Sequence, residues 1–413
     1  MLNTLTFIAF LLLALPGHSC PHVEHSRSFP SYNDALEIAR SNNERRVTRQ
    51  VSAPAKTAIT NVRVFDGEKL LPLSTVFIEG GVIVPYASEA TVVDGNGGVL
   101  LSGLIDAHSH PVSVEHLENF ASYGVTTAMV MGCYPYDICH SLQNHPGLTD
   151  IRFAGQGAVA PNSTHALLGA GVPLNETITS PSQAPDFIAR QLEAGATFIK
   201  MIAEDVGSPT LSQETMNALV VAAHAKGVRV ACHAADYSAV DRALTAQTDQ
   251  SHHVPNDFPL NSSLISRFVA QNTISVPTLS IFLQFDIGGR PDGAHGFDVA
   301  TASAGALNAA KVPILAGTDA NNVPGPFSLA FGSSLHTELE LLVQAGLSTV
   351  EALRSATVLA AQHNLLFDRG VVASGMRADL LLISGDPIAN ISATRDIQRV
   401  WIGGVEYTTV SGN

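Results

Sequence analysis

Between residues 101 and 368, apolar runs of strand character alternate with stretches of helical period, and this alternation limits the fold more than any other feature. The runs fall at 101–105, 125–131, 151–154, 197–202, 228–231, 273–276 and 312–316, with a more polar eighth around 249–254. Strands that are apolar on both faces and separated by helices predict parallel βα units. Residues 101–368 are enough for one (β/α)8 TIM-type barrel, with a doubly wound open sheet as the competing α/β arrangement. The flanking segments have a different texture. Residues 58–100 hold short β-branched runs broken by Asp66-Gly67, Gly80-Gly81 and Asp94-Gly95, and residues 369–413 repeat that pattern, so the two are expected to form a small composite β-sandwich domain. Hydrophobic residues make up 46% of the 413-residue chain and charged residues 14%, against a usual charged share of about 25%, so a large core is available. The formal charge of −14 repels phosphate backbones, which makes nucleic acid an unsuitable partner.

The first residues carry an apolar run, 7–15, followed by Pro16 and the small residues Gly17 and Ser19, and residues 1–19 are read as a secretory signal. The run is too short to cross a bilayer, so no membrane anchoring is expected. Residues 20–57 are polar and are expected to form a surface helix rather than a propeptide. The sequons at Asn162, Asn175, Asn261 and Asn390 fit a secreted glycoprotein, and Cys133 and Cys139 are spaced to bridge in an oxidising compartment. Cys232, inside an apolar run, is expected to be a buried, inert thiol.

Metal-ligand residue types recur where these strands end. His108 and His110 follow the first run two residues apart, so on a strand both imidazoles point to one side. Lys200 lies among apolar neighbours, where burial favours its neutral, nucleophilic amine, a group able to add carbon dioxide as a carbamate. His233 and Asp319 each end an apolar run, and His252-His253 ends the polar one, where alternation predicts that one of the pair lines the interior. In a barrel, chemistry gathers at the C-terminal ends of the strands.

The strings Gly103-Leu-Ile-Asp-Ala-His108-Ser-His110, Phe198-Ile-Lys200-Met, Val230-Ala-Cys-His233-Ala, Asp249-Gln-Ser-His-His253 and Ala316-Gly-Thr-Asp319 resemble the metal-dependent amidohydrolase superfamily. Ala345-Gly-Leu-Ser-Thr-Val-Glu-Ala-Leu353 and Gly375-Met-Arg-Ala-Asp-Leu-Leu-Leu-Ile383 are similar to its imidazolonepropionase-like and prolidase-like branch. The resemblance covers nearly everything after residue 58. It implies two divalent metal ions, zinc by default: His108 and His110 hold one with Asp319, His233 and His253 hold the second, and carbamylated Lys200 bridges them. It also implies hydrolysis of an amide or peptide-like C–N bond in a small molecule by a metal-activated water, with Asp319 as the catalytic base and then acid. His165 and Tyr237 are the candidate substrate-contacting residues, while His336 is expected to cap or pack a helix. The chain departs from the family at His252, where glutamate is usual, and at Ala203-Glu204-Asp205, where glycine-rich text is usual. A lactonase, decarboxylase or isomerase on the same scaffold, and a barrel that binds without turnover, are the alternatives. Self-association into a homo-oligomer stays open.

Overall fold

The computed structural model describes residues 31–48, 54–168, 172–288, 296–323 and 327–408. The expected leader and Cys20 lie outside them. Among the described residues no helix is long and apolar enough to cross a membrane.

The chain is α/β, as the alternation predicts. Its N-terminal strands are β1 (Thr57–Phe65), β2 (Leu70–Glu79), β3 (Val82–Val84), β4 (Thr91–Asp94) and β5 (Val99–Ser102). The parallel strands that follow are β6 (Leu104–Ser109), β7 (Val125–Val130), β8 (Asp150–Phe153), β9 (Ile199–Ile202), β10 (Val230–His233), β11 (Gln250–His252) and β12 (Ile274–Val276). The last are β13 (Leu380–Ile383), β14 (Ile397–Ile402) and β15 (Val405–Glu406).

The two flanking segments share one eight-stranded mixed sheet, ordered β15-β14-β13-β5-β1-β2-β3 with β4 on β1. A single sheet serves where two facing sheets were expected because β1 changes partner. It pairs in parallel with β4 through residues 57–60, bulges at Asn61 (φ 55°), and pairs with β5 through 63–64. The sheet has its own apolar core around the fully buried Trp401, Ile59, Ile78 and Leu380. Gly103 then carries the chain out of it. A Cβ there would lie 2.2 Å from the Thr126 side chain, so only glycine lets β6 start against β7.

β6-β7-β8 and β9-β10-β11-β12 form two parallel sheets. Isolated parallel bridges run between them: Ala158 with Met201, Ser275 with Ile314, and Ser109 with Ala320. The run at 312–316 is therefore paired through single bridges rather than as a regular strand. The polar run near 249–254 does form a strand, β11, held by its neighbours on both sides.

Residues Tyr32–Thr48 form helix α1 within the N-terminal extension. Its start is closed by Ser31 and Asp34, each accepting from the other's backbone N–H at 2.7 and 3.2 Å. Asn42 ties α1 to the body: its Nδ2 donates to Val112 O (2.9 Å) and Ser141 Oγ (3.0 Å), and its Oδ1 accepts from Val114 N (3.0 Å). Beside α1, Cys133 and Cys139 are joined by a disulfide. Cys232 is buried and unbridged, and burial pushes its thiol up to about 12, well away from reactivity at neutral pH.

Candidate active site

The ligand-type side chains gather where the parallel strands end. His108 lies on β6 and His110 one residue beyond it, Lys200 on β9, His233 at the end of β10, His253 just past β11, and Asp319 after the run at 312–316. All six line one cavity of about 430 Å³, a size suited to a small ligand. His108 and Asp319 are brought together by their backbones. Asp319, at φ 62°, and Thr318 direct their N–H groups to His108 O (2.8 and 3.2 Å). Asp106 fixes the same seam, accepting from His108 N (3.0 Å), Thr318 N (3.1 Å) and Thr318 Oγ1 (2.7 Å). Gly317 is required between them, because a Cβ there would meet His108 Cβ and N at 2.9 Å.

One Asp319 oxygen, Oδ1, lies 3.0 Å from His110 Nε2 and 3.4 Å from His108 Nε2. Burial would raise this carboxyl, but the His110 hydrogen bond and the surrounding positive charge outweigh it and hold Asp319 below its usual range. The imidazoles of His108 and His253 have centroids 4.8 Å apart, and those of His233 and His253 4.4 Å apart. Burial draws His108 and His233 well below their usual range and His253 down to about 3, so all three are neutral at pH 7 and free to offer lone pairs. The amine of Lys200 is buried with no hydrogen-bond partner, and burial lowers it to about 8. A buried polar group without a partner is costly in a folded protein unless something absent from the chain completes it.

Alternation would send His252 and His253 to opposite sides, yet both contact His108. His253 takes a left-handed backbone (φ 69°), which turns its ring into the cavity, where Nδ1 meets Thr278 Oγ1 at 2.7 Å. His252 stays on the strand, fully buried beneath His108. A chain of hydrogen bonds fixes its tautomer. Gln250 Nε2 donates to His363 O (3.3 Å) and Asn364 Oδ1 (3.1 Å), so Gln250 Oε1 faces His252 Nε2 at 2.9 Å. That oxygen only accepts, which places the His252 proton on Nε2 and leaves Nδ1 to accept from His108 Nδ1 at 2.9 Å. His108 Nε2 therefore carries a lone pair towards the Asp319 carboxylate, and a cation completes such a pairing.

His165, at the head of a short helix, lines the cavity with its ring 4.2 Å from that of His233. Its Nδ1 lies 3.0 Å from Glu204 Oε1, and Glu204 also accepts from the Thr164 and His165 N–H groups (3.2 and 2.9 Å). Glu204 is thus the residue that aims His165, a role the sequence marks only by its departure from glycine. Tyr237 corrects an expectation. It opens the helix Tyr237–Thr245 and packs against the core, outside the cavity lining, because the chain has already turned away four residues after His233. His336 is buried, bonded to Thr394 Oγ1 and Tyr123 O at 2.9 Å, and packs as expected. Two helices along, Glu338 accepts from Leu279 N, Ser280 N and Ser280 Oγ (3.0, 2.7 and 2.7 Å), which anchors the helix carrying Phe282 into the cavity. Burial pushes that carboxyl up to about 7.

Comparison with known proteins agrees with this geometry. Residues 115–413 match the family described as the amidohydrolase family. An uncharacterized protein of Mycobacterium bovis is 28% identical over 327 residues, covering 73% of this chain and 83% of its own. Adenine deaminase 2 of Rhizobium etli is 27% identical over 359 residues, covering 80% of this chain but only 54% of its own, so the chain spans about half of that relative. Among solved structures, a Xaa-Pro dipeptidase with methionine bound in its active site superposes with a TM-score of 0.75 at 22% identity, covering 86% of this chain and all of that one, a likeness of fold. With nearly three quarters of its length matched, the chain belongs to the amidohydrolase family of hydrolases acting on carbon–nitrogen bonds.

Proposed function

We propose that the protein is a secreted, metal-dependent amidohydrolase that cleaves an amide or peptide-like C–N bond in a small molecule. One observation carries this: the ligating atoms of His108, His253 and Asp319 lie within 4.8 Å of one another, with the partnerless Lys200 amine and the rings of His110 and His233 in the same cavity. Neutral imidazoles and a carboxylate suit zinc. The set fits two ions, one held by His108, His110 and Asp319 and one by His233 and His253, with Lys200 carbamylated between them. The parallel strands are read as the staves of a (β/α)8 barrel, supported by the bridges that link β8 to β9, β12 to the run at 312–316, and β6 to Ala320. Secretion is supported by the leader-like run, by the Cys133–Cys139 disulfide, and by the exposure of Asn162, Asn175, Asn261 and Asn390.

When bound, the ions acidify a water and polarise the scissile carbonyl. Asp319, ionised and held between two imidazoles, accepts the proton released on attack and returns it to the leaving nitrogen. His165, its Nδ1–H committed to Glu204, presents Nε2 to the substrate. The test is metal analysis of protein purified from culture medium, coupled to a screen of amides, N-acyl amino acids and dipeptides. Stoichiometric divalent metal, with activity lost on chelation and restored on adding metal back, is the expected result. A folded, metal-free preparation that still hydrolyses amides would sink the proposal.

The hydrogen-bond chain beneath His108 makes a further prediction. Gln250→Leu removes the acceptor that fixes the His252 proton, so His108 spends part of its time as the tautomer with Nε2 blocked. Metal affinity measured by chelator competition should fall about 10–100-fold, as it does when an outer partner of a metal ligand is removed. Unchanged affinity in a folded variant would show that His108 needs no such support.

A further inference from the structure

Resting on the hydrolase reading above, we infer that the cavity selects a neutral substrate with an aromatic or bulky apolar group beside the scissile amide, and rejects one carrying a free carboxylate there. The walls carry the inference. Edge-on aromatic rings lead away from His253, through Phe282 (6.1 Å), Phe285 (6.4 Å) and Phe327 (5.3 Å). Opposite sides are closed by Ile138, Leu168 and, from the N-terminal extension, Ile38 of α1. Among the described residues that line the cavity, Lys200 is the sole lysine or arginine, and it sits within the ligand cluster. The cations of α1 nearest its docking face are committed elsewhere, Arg45 to Glu118 at 2.9 Å and Arg46 to Gln143 O at 3.3 Å.

A carboxylate brought against such a wall loses its hydration and gains no counter-charge, whereas an amide or apolar ring is at home there. The polar groups the wall offers point the same way. Gln156, which lines the cavity, has its Nε2 held by Glu176 O at 3.0 Å and its buried Oε1 without a partner. That acceptor suits a substrate N–H and repels an anion. Glu204 and Asp319, both acidic, lie on the same cavity's polar side.

The experiment uses the full-length, metal-loaded protein and two matched ligands: N-benzoyl-phenylalanine and its neutral carboxamide. Hydrolysis of each and binding of a non-cleavable N-alkyl analogue of each, read by calorimetry, are measured in parallel. The neutral member is expected to win by at least tenfold in both kcat/KM and affinity. Ile38→Arg, which sets a cation on the α1 wall, should shift the ratio at least tenfold towards the acid, while Ile38→Leu should leave the preference in place. Turnover of the acid as fast as the amide would overturn the inference while leaving the hydrolase reading intact. Tight, selective binding of the neutral analogue with no turnover of either ligand would support the inference and remove the hydrolase reading. Absence of binding by both analogues would overturn the inference.

Discussion

Asp319→Asn should lower kcat by about 10²–10⁴-fold, the range contributed by a positioned proton acceptor, while leaving the fold and bound metal largely intact. The substitution isolates one property. Asparagine matches the shape of aspartate and tolerates a left-handed backbone, so the φ of 62° and the N–H bond to His108 O at 2.8 Å survive. Its amide oxygen can still accept from His110 Nε2, now 3.0 Å from Oδ1. What is lost is the negative charge and the capacity to take a proton. Metal content by atomic absorption, beside steady-state kinetics, separates the two roles: retained metal with collapsed turnover marks a proton carrier, and lost metal marks a ligand whose charge is indispensable. Near-wild-type turnover would remove Asp319 from the chemistry.

Much of this site was legible in the sequence for one physical reason. A strand's end fixes where its last side chain points, so His108, His110, Lys200, His233 and Asp319 could be assigned to one mouth from the apolar run preceding each. The same reasoning fails where the backbone leaves the strand. Alternation allots one inward place to His252 and His253, but the left-handed turn at His253 gives both a place, one in the cavity and one beneath it. Residues acting through others were also hidden. Gln250, Glu204 and Asp106 read as ordinary polar text, and only the partners brought near them by distant segments give them a role. Tyr237 was misplaced because spacing from His233 says nothing about the turn between strand and helix.

The fold followed the same division. Runs of apolar residues announced the parallel strands, since burial on both faces demands them. The polar strand β11 could not be recognised that way, because Gln250, Ser251 and His252 are buried by tertiary contacts and satisfied by side-chain bonds rather than by being apolar. Helix α1 shows a related limit. Its polar composition suggested a surface element, which it is on one side, but Asn42 docks it so that Ile38 reaches the cavity. A segment outside the family match at 115–413 thus shapes the site, and substrate choice is open to change there without touching the chemistry.

Lys200→Ala should cost more than about 100-fold in metal affinity, beyond the range seen on removing an outer partner, and activity should fall with it. The physical ground is the state of the amine. An ammonium buried among neutral imidazoles would repel cations at short range, and the surroundings already disfavour it, with burial lowering the group to about 8. The neutral amine that results has no hydrogen-bond partner among the described side chains. A carbamate formed on it carries a negative charge and two oxygens into the space between the two histidine pairs, which answers both deficits. Removing the side chain at Ala therefore leaves room for a small carboxylate to stand in. Activity and metal content of Lys200→Ala, assayed with and without added formate, acetate or propionate, should recover in part with the acid that fits and stay low without it. Rescue by none of them, with metal content equal to wild type throughout, would show Lys200 to be core packing whose burial serves only the fold.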